Sequence, residues 1–122
     1  MGLKTYFFDT YALFEIILGN PGYSRFRERV SIIITRLNLM ELYYGFLLRC
    51  GTAAAGRYYD RLLEYAVDID DDTIKKAALF RTKNKKMSYA DCIGYVISLQ
   101  RNILFLTGDE HFRKLPNVEF VK

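Results

Sequence analysis

The residues of this sequence best equipped for chemistry are carboxylates, and four of them recur in one kind of place. The aromatic run Tyr6-Phe7-Phe8 ends at Asp9. Ile32-Ile33-Ile34 leads through Thr35-Arg36-Leu37-Asn38 to Glu41. Ile103 to Leu106 ends at Thr107-Gly108-Asp109, and a fourth acid, Asp91, follows Ser88 on the first turn of a helical pattern. Other chemistries have few residues to work with. The only histidine is His111, and Cys50 and Cys92 stand far apart with no partner at zinc spacing. Both thiols are expected to be reduced and packed as small hydrophobes. Four carboxylates gathered together repel one another, so they persist only with bound cations or raised pKa values. Hard oxygen donors without imidazole or thiolate suit Mg²⁺ or Mn²⁺. Such a site holds one or two ions, activates water and neutralises the charge of a phosphodiester.

Each acid also has a purely local reading. Asp9 and Asp109 suit the N-caps of the helices they precede. Asn38-Leu39-Met40-Glu41 and Ser88-Tyr89-Ala90-Asp91 both have the form of capping boxes. The two readings are compatible, because a rim of helix N-termini lowers the cost of collecting negative charge. Capping alone leaves the recurrence at three strand ends unexplained.

The elements that must position these acids follow from periodicity. Lys4 to Phe8 and Ile103 to Thr107 read as strands, and β-branched Val30 to Thr35 as a strand buried on both faces. Val67-Asp68-Ile69 reads as a short strand and Val118 to Phe120 as a final edge strand. Helical stripes run over Leu13 to Ile17, from Asn38 to a stop at Gly51, from Ala53 to Ala66, from Asp70 to about Arg81, and from Ser88 to Arg101. In the last of these Tyr89, Ile93, Val96 and Ile97 are expected to face inward, with Asp91 on the flank. Short helices are expected at Tyr23 to Arg29 and Asp109 to Lys114. Strands alternating with helices predict an α/β fold, a three-layer α/β/α sandwich around a mostly parallel sheet, with residues 1–122 as a single domain. In such a sheet, ligands bind beyond the carboxyl ends of the strands.

Composition narrows the partners. The chain has 122 residues, 51% of them hydrophobic, which suits one packed core and excludes a disordered chain. No apolar run is long enough to span a bilayer, and Met1 to Phe8 has the form of neither a leader nor an acylation signal. A cytoplasmic protein with no membrane partner is the expectation. The 18 basic residues outnumber the 14 acidic ones. A positive exterior around an acidic pocket suits RNA or DNA. Arg81, Lys83, Lys85 and Lys86 form a basic loop just before the Asp91 helix, placed to hold a phosphate backbone, or simply solvated. Tyr43, Tyr44, Tyr58, Tyr59 and Tyr65 exceed what two helices need for a core, and the surplus suits an interface.

The order Phe8-Asp9-Thr10, Glu41-Leu42-Tyr43-Tyr44-Gly45, Ala90-Asp91-Cys92-Ile93 and Thr107-Gly108-Asp109-Glu110-His111-Phe112 resembles the PIN domain, and most closely its VapC-type toxin ribonucleases. The resemblance spans nearly the whole chain. It implies a Mg²⁺- or Mn²⁺-dependent endoribonuclease, dimeric and held inactive by a small antitoxin protein. By the same resemblance Asp9, Glu41, Asp91 and Asp109 form an acidic quartet. Asp9 and Asp91 are then direct ligands, Glu41 and Asp109 act through water or complete a second site, and Thr107 orients Asp109 or a metal-bound water. Two positions depart from the family pattern. Tyr11 stands where a small polar residue is common, so Thr10 becomes the source of a hydroxyl near the metal. Cys92 stands where alanine is usual and is small enough to fit. Two readings from other classes remain beside it: a receiver-like phosphoacceptor domain, and a catalytically inactive α/β binding module. The receiver needs a lysine after the last long strand, where this chain has Gly108-Asp109.

Overall fold

The computed structural model describes residues 3–122; Met1 and Gly2, part of the segment read for a leader or acylation signal, lie outside the described residues. Four strands form the central sheet: β1 (Lys4–Phe8), β2 (Val30–Ile33), β3 (Leu104–Thr107) and β4 (Val118–Phe120). Their order is β2-β1-β3-β4 and every pairing is parallel. Parallel neighbours need crossovers, and helices supply them. α1 (Thr10–Leu18) joins β1 towards β2; α2 (Arg36–Cys50), α3 (Thr52–Leu62), α4 (Asp71–Thr82) and α5 (Tyr89–Gln100) lie between β2 and β3.

Strand side chains alternate between two cores, as the pleat demands. Tyr6, Phe8 and Leu106 join Leu13, Leu39, Leu42 and Phe46 on the face covered by α1 and α2. Phe7 and Phe105 stack with ring centroids 5.6 Å apart on the opposite face, against Tyr95, Val96 and Ile97 of α5. The fold is the expected α/β/α sandwich. Gly94 lets α5 close on β1, because a Cβ there would run into the Phe7 ring. That close approach fixes the helix whose first turn carries Asp91.

Several local expectations are corrected. Val67–Ile69 forms no strand: a single bridge joins Ile34 to Ala66, with Val67 N donating to Ile34 O at 2.8 Å. Beyond Ile34 the partner chain turns at once into the Thr35 cap and α2, so the bridge has nothing to extend along. β2 lies at the sheet edge and is half-buried rather than buried on both faces. The helix expected over Tyr23 to Arg29 is a 3-10 turn at Pro21–Phe26. Tyr89 is 71% exposed, because it opens α5 and rests on Arg81, at 4.6 Å from guanidinium carbon to ring centre, instead of on the sheet. Arg81 belongs to α4 rather than to the basic loop. Cys92 is buried, but Cys50 is exposed at the end of α2.

Candidate active site

β1 and β3 are hydrogen-bonded neighbours and end at the same sheet edge, so Asp9 and Asp109 emerge side by side. Asp9 caps α1 and is only 1% exposed. Its Oδ1 accepts the Ala12 N–H at 2.8 Å, and its Oδ2 accepts the Thr107 hydroxyl. The same Thr107 oxygen accepts the Asp109 N–H at 3.0 Å. One hydroxyl thus ties the two strand exits together. Asp109 Oδ1 in turn accepts the N–H of His111 at 3.0 Å and lies 2.9 Å from His111 Nδ1. A carboxylate can only accept, so Nδ1 carries the proton in that contact.

Glu41 reaches the site by a different route. α2 begins at Arg36 with Thr35 as its cap, so the expected Asn38–Glu41 capping box does not form. Asn38 instead turns its Oδ1 back to Thr35 N at 3.0 Å and Thr35 Oγ1 at 2.9 Å. Its Nδ2 donates to Thr10 Oγ1 at 3.3 Å, and Thr10 Oγ1 donates to Glu41 Oε1 at 2.6 Å. Glu41 therefore lies on the second turn of α2, free of capping and oriented through Thr10. Asp91 does form the expected capping box: Ser88 N donates to its Oδ2 at 3.2 Å, and its own N–H bonds Ser88 Oγ at 3.0 Å.

The four acids act electrostatically on one another. Burial raises the Asp9 pKa well above the ordinary carboxylate value, opposed by the Thr107 and Ala12 hydrogen bonds and reinforced by the charges of Asp91 and Asp109. Burial likewise lifts Asp91 to about 6, with the charges of Glu41 and Asp109 adding to the rise. Each carboxylate keeps acceptor capacity in reserve. Asp91 Oδ1, Glu41 Oε2 and Asp109 Oδ2 accept no hydrogen bond from any described residue. No buried side-chain oxygen among the described residues lacks a partner, so these three atoms reach solvent.

A divalent cation suits this donor set in chemistry: all ligands are oxygen, with negative charge crowded and partly buried. Among the described residues, however, no three His, Cys, Asp or Glu side chains close on one point as a ready-made metal cage. Asp91 and Asp109 lie near enough to Asp9, and Glu41 near enough to Asp91, for these charges to interact, a spacing that water-bridged ligation would suit.

Two contributors carry no clear mark in the sequence. Asn38 is fully buried and links Thr35 to Thr10; its signal is a polar residue in an otherwise apolar helical stripe, which reads instead as a cap. Tyr23 is fully buried, donates to Val121 O at 2.5 Å and lies close enough to Asp9 for that charge to help push its pKa up, after burial itself. Nothing in local sequence marks Tyr23, because both partners are remote in the chain.

Of the basic residues, Lys83, Lys85 and Lys86 are exposed. Arg81 is committed internally, its Nε donating to Met87 O at 2.9 Å. Glu15 accepts a hydrogen bond from the Asn20 side chain at 2.7 Å.

An all-parallel sheet with acids at the exit of its two inner strands defines a class: an α/β domain with carboxylates gathered at the carboxyl edge of its sheet. The sequence matches the PIN domain family over residues 6–118, and the chain belongs to that family. No curated protein matches it in sequence. Its fold is shared with solved toxin–antitoxin structures. The toxin–antitoxin complex from Klebsiella pneumoniae is similar with a TM-score of 0.75 and 19% identity, over 93% of this chain and 95% of that one. VapC20 of Mycobacterium tuberculosis, a sarcin-ricin-loop-cleaving toxin, gives 0.75 and 17% over 96% and 99%. VapBC2 from Rickettsia felis, bound to a promoter DNA fragment, gives 0.71 and 18% over 97% and 99%.

Proposed function

We propose that this protein is a Mg²⁺- or Mn²⁺-dependent endoribonuclease whose acidic quartet is Asp9, Glu41, Asp91 and Asp109. The observation that carries the reading is the gathering of these acids at one sheet edge, where burial first, and the charges of neighbouring acids second, lift Asp9 and Asp91 above the ordinary carboxylate range. A cluster that costs free energy when empty gains it back on binding a cation.

The chain's own groups then divide the work. Asp9 is held rigidly by Ala12 and Thr107 and keeps a lone pair on each oxygen for a ligand. Asp91 offers Oδ1 from the head of α5, and Asp109, just past the end of β3, offers Oδ2. When bound, the ion neutralises phosphodiester charge and acidifies a water molecule. Glu41, oriented by Thr10, presents Oε2 as a proton acceptor. Lys83, Lys85 and Lys86 supply positive charge beside the cleft for the RNA backbone.

We place it further as the toxin of a toxin–antitoxin pair, acting as a homodimer in the cytoplasm. The shared fold supports this, as does an apolar groove of about 320 Å³ beside the acids, lined by Leu37, Met40, Glu41, Tyr44 and Tyr89. Met40 is 70% and Tyr44 63% exposed there, a surface that a small antitoxin would cover. Among the described residues no helix is long and apolar enough to cross a membrane.

The test is cleavage of a total RNA preparation by the purified protein, with Mn²⁺ and with chelator. Internal cuts that require the metal and vanish in Asp9→Asn are expected. Cleavage indifferent to both changes would overturn the assignment, and a folded protein without cleavage would return it to an inactive binding module.

A further inference from the structure

Next to Asp109, which contacts His111, lies a cavity of about 220 Å³ lined by Lys83, Asn84, Lys85, Lys86, Met87 and His111. The space is open to solvent and large enough to admit a phosphate group. Three of its six lining residues are lysines, and none of them is in a salt bridge with a described residue. Unpaired cations around a concave space favour an anion.

The loop carrying the lysines is built rather than slack. Arg81 Nε and Nη2 donate to Met87 O at 2.9 Å and Lys85 O at 3.4 Å, and the guanidinium lies on the Tyr89 ring. Asn84 Nδ2 donates to Phe80 O at 2.9 Å, Asn84 N to Arg81 O at 3.0 Å and Met87 N to Asn84 O at 3.1 Å. Lysines are costly to immobilise, and a backbone fixed in advance lowers that cost. The wall facing the acids is His111, whose ring is held by its Nδ1 contact with Asp109. The cavity is thereby tied to the acidic cleft through one hydrogen bond.

We infer that this lysine-lined cavity is a discrete subsite for one backbone phosphate of single-stranded RNA, adjacent to the phosphodiester at the acids, with His111 as the wall that sets its distance from Asp109. The inference rests on the nuclease reading for its substrate, but not for its geometry. A fixed subsite makes one neighbouring phosphate count more than the others, which a merely basic surface does not do.

The single histidine makes the test direct, because one imidazole signal in the NMR spectrum needs no assignment. The full chain, in chelator at constant pH and ionic strength, is titrated with inorganic phosphate, with chloride, and with a twelve-residue oligouridylate with or without a 5′-phosphate. Saturable displacement of the His111 signal by both oligouridylates alike, and more weakly by inorganic phosphate, is expected, with none from chloride. In a Lys83→Ala, Lys85→Ala, Lys86→Ala variant the oligouridylate should bind at least about tenfold more weakly. The log–log salt slope of its binding should be shallower by roughly 0.7 for each phosphate that the variant no longer neutralises. His111→Asn should keep binding within about threefold while losing the preference for a phosphate beside the cut. That preference is read as sensitivity to a single neutral methylphosphonate linkage placed along a cleavable RNA.

Equal displacement by chloride, or a methylphosphonate scan that is flat in the wild-type protein, overturns the subsite. A response only to the 5′-phosphorylated oligomer reassigns it to terminal phosphates and overturns the backbone reading. If cleavage occurs but the His111 signal does not move, the subsite fails and the nuclease reading stands. If the signal moves but no RNA is cut with Mn²⁺, the reverse holds.

Discussion

Asp9 and Asp109 start from the same sequence pattern, an apolar strand followed at its exit by an acid that caps the next turn, and they end in opposite environments. Asp9 opens a nine-residue helix and is 1% exposed. Asp109 opens a three-residue 3-10 turn, with its side chain 31% exposed and next to His111. The Asp9 pKa is driven well upward, and burial is the first cause. The comparison teaches that a cap's chemical role is set by what covers it. A long helix packed on the sheet carries its capping acid inward, whereas a single 3-10 turn leaves it at the rim.

The sharpest way to break the comparison is to remove each charge in turn. Asp9→Asn keeps the acceptor for Ala12 N and the shape of the site but deletes the charge. RNA cleavage should fall on the order of a hundredfold or more, about 3 kcal/mol of transition-state stabilisation. The metal-free melting temperature should stay level or rise, because a buried charge has been neutralised. Asp109→Asn should cost about tenfold and leave the melting temperature unchanged. Equal losses in the two variants would show that burial does not distinguish their roles. Mn²⁺-dependent cleavage rates beside metal-free melting curves give both readouts.

The next prediction uses pH. Asp91 rises from an ordinary 3.8 to about 6 in the folded protein, so between those values the folded state binds more protons than the unfolded one. The stability Asp91 contributes is fully present below its unfolded pKa and is lost as pH climbs through about 6. Metal-free unfolding free energy should therefore drop between pH 4 and pH 7 by up to about 3 kcal/mol from this group. Asp91→Asn should remove this group's share of the slope, leaving that of Asp9, and Mn²⁺ at pH 7 should restore the lost stability. Denaturant melts across that range, with and without Mn²⁺, check the sign.

Much of this arrangement is legible in the sequence, and the limits have physical causes. Apolar runs mark the strands that carry Asp9 and Asp109, and Ser88 with Asp91 announces the α5 cap, because caps and strand ends are local signals. Long-range competition decides the rest. Thr35 takes the α2 cap because Asn38 is drawn back to it and across to Thr10, a residue 28 positions away in sequence. That one change turns Glu41 from a capping residue into a residue of the cleft. Val67 to Ile69 has strand composition but no free edge to pair with beyond Ile34. Tyr89 has the right spacing to face inward and instead covers Arg81, a contact no periodicity reveals.

Thr107 sharpens the comparison at smaller scale, since its hydroxyl serves both acids. Thr107→Val leaves one Asp9 oxygen and the Asp109 N–H without that partner, and the fully buried site gives them little water in exchange. A loss of about 2 kcal/mol in stability is expected, with Thr107→Ser recovering most of it. A valine variant as stable as wild type would mean that the two strand exits are positioned by packing alone.

The smallest effect belongs to His111, and its smallness is informative. The His111–Asp109 contact is short at 2.9 Å, but the histidine side chain is 49% exposed. Exposed pairs of this kind contribute little to folding, because water solvates both partners almost as well when they are apart. His111→Ala should therefore change stability by no more than about 0.5 kcal/mol, against about 2 kcal/mol for Thr107→Val at the other end of the same hydrogen-bond chain. A loss above about 1.5 kcal/mol in a thermal melt would mean that the Asp109 rim is as tightly structured as the Asp9 interior. The contrast between buried and exposed strand exits would then fail. A near-zero change combined with altered RNA cleavage would place His111 where the exposure suggests, at a surface that contacts substrate without supporting the fold.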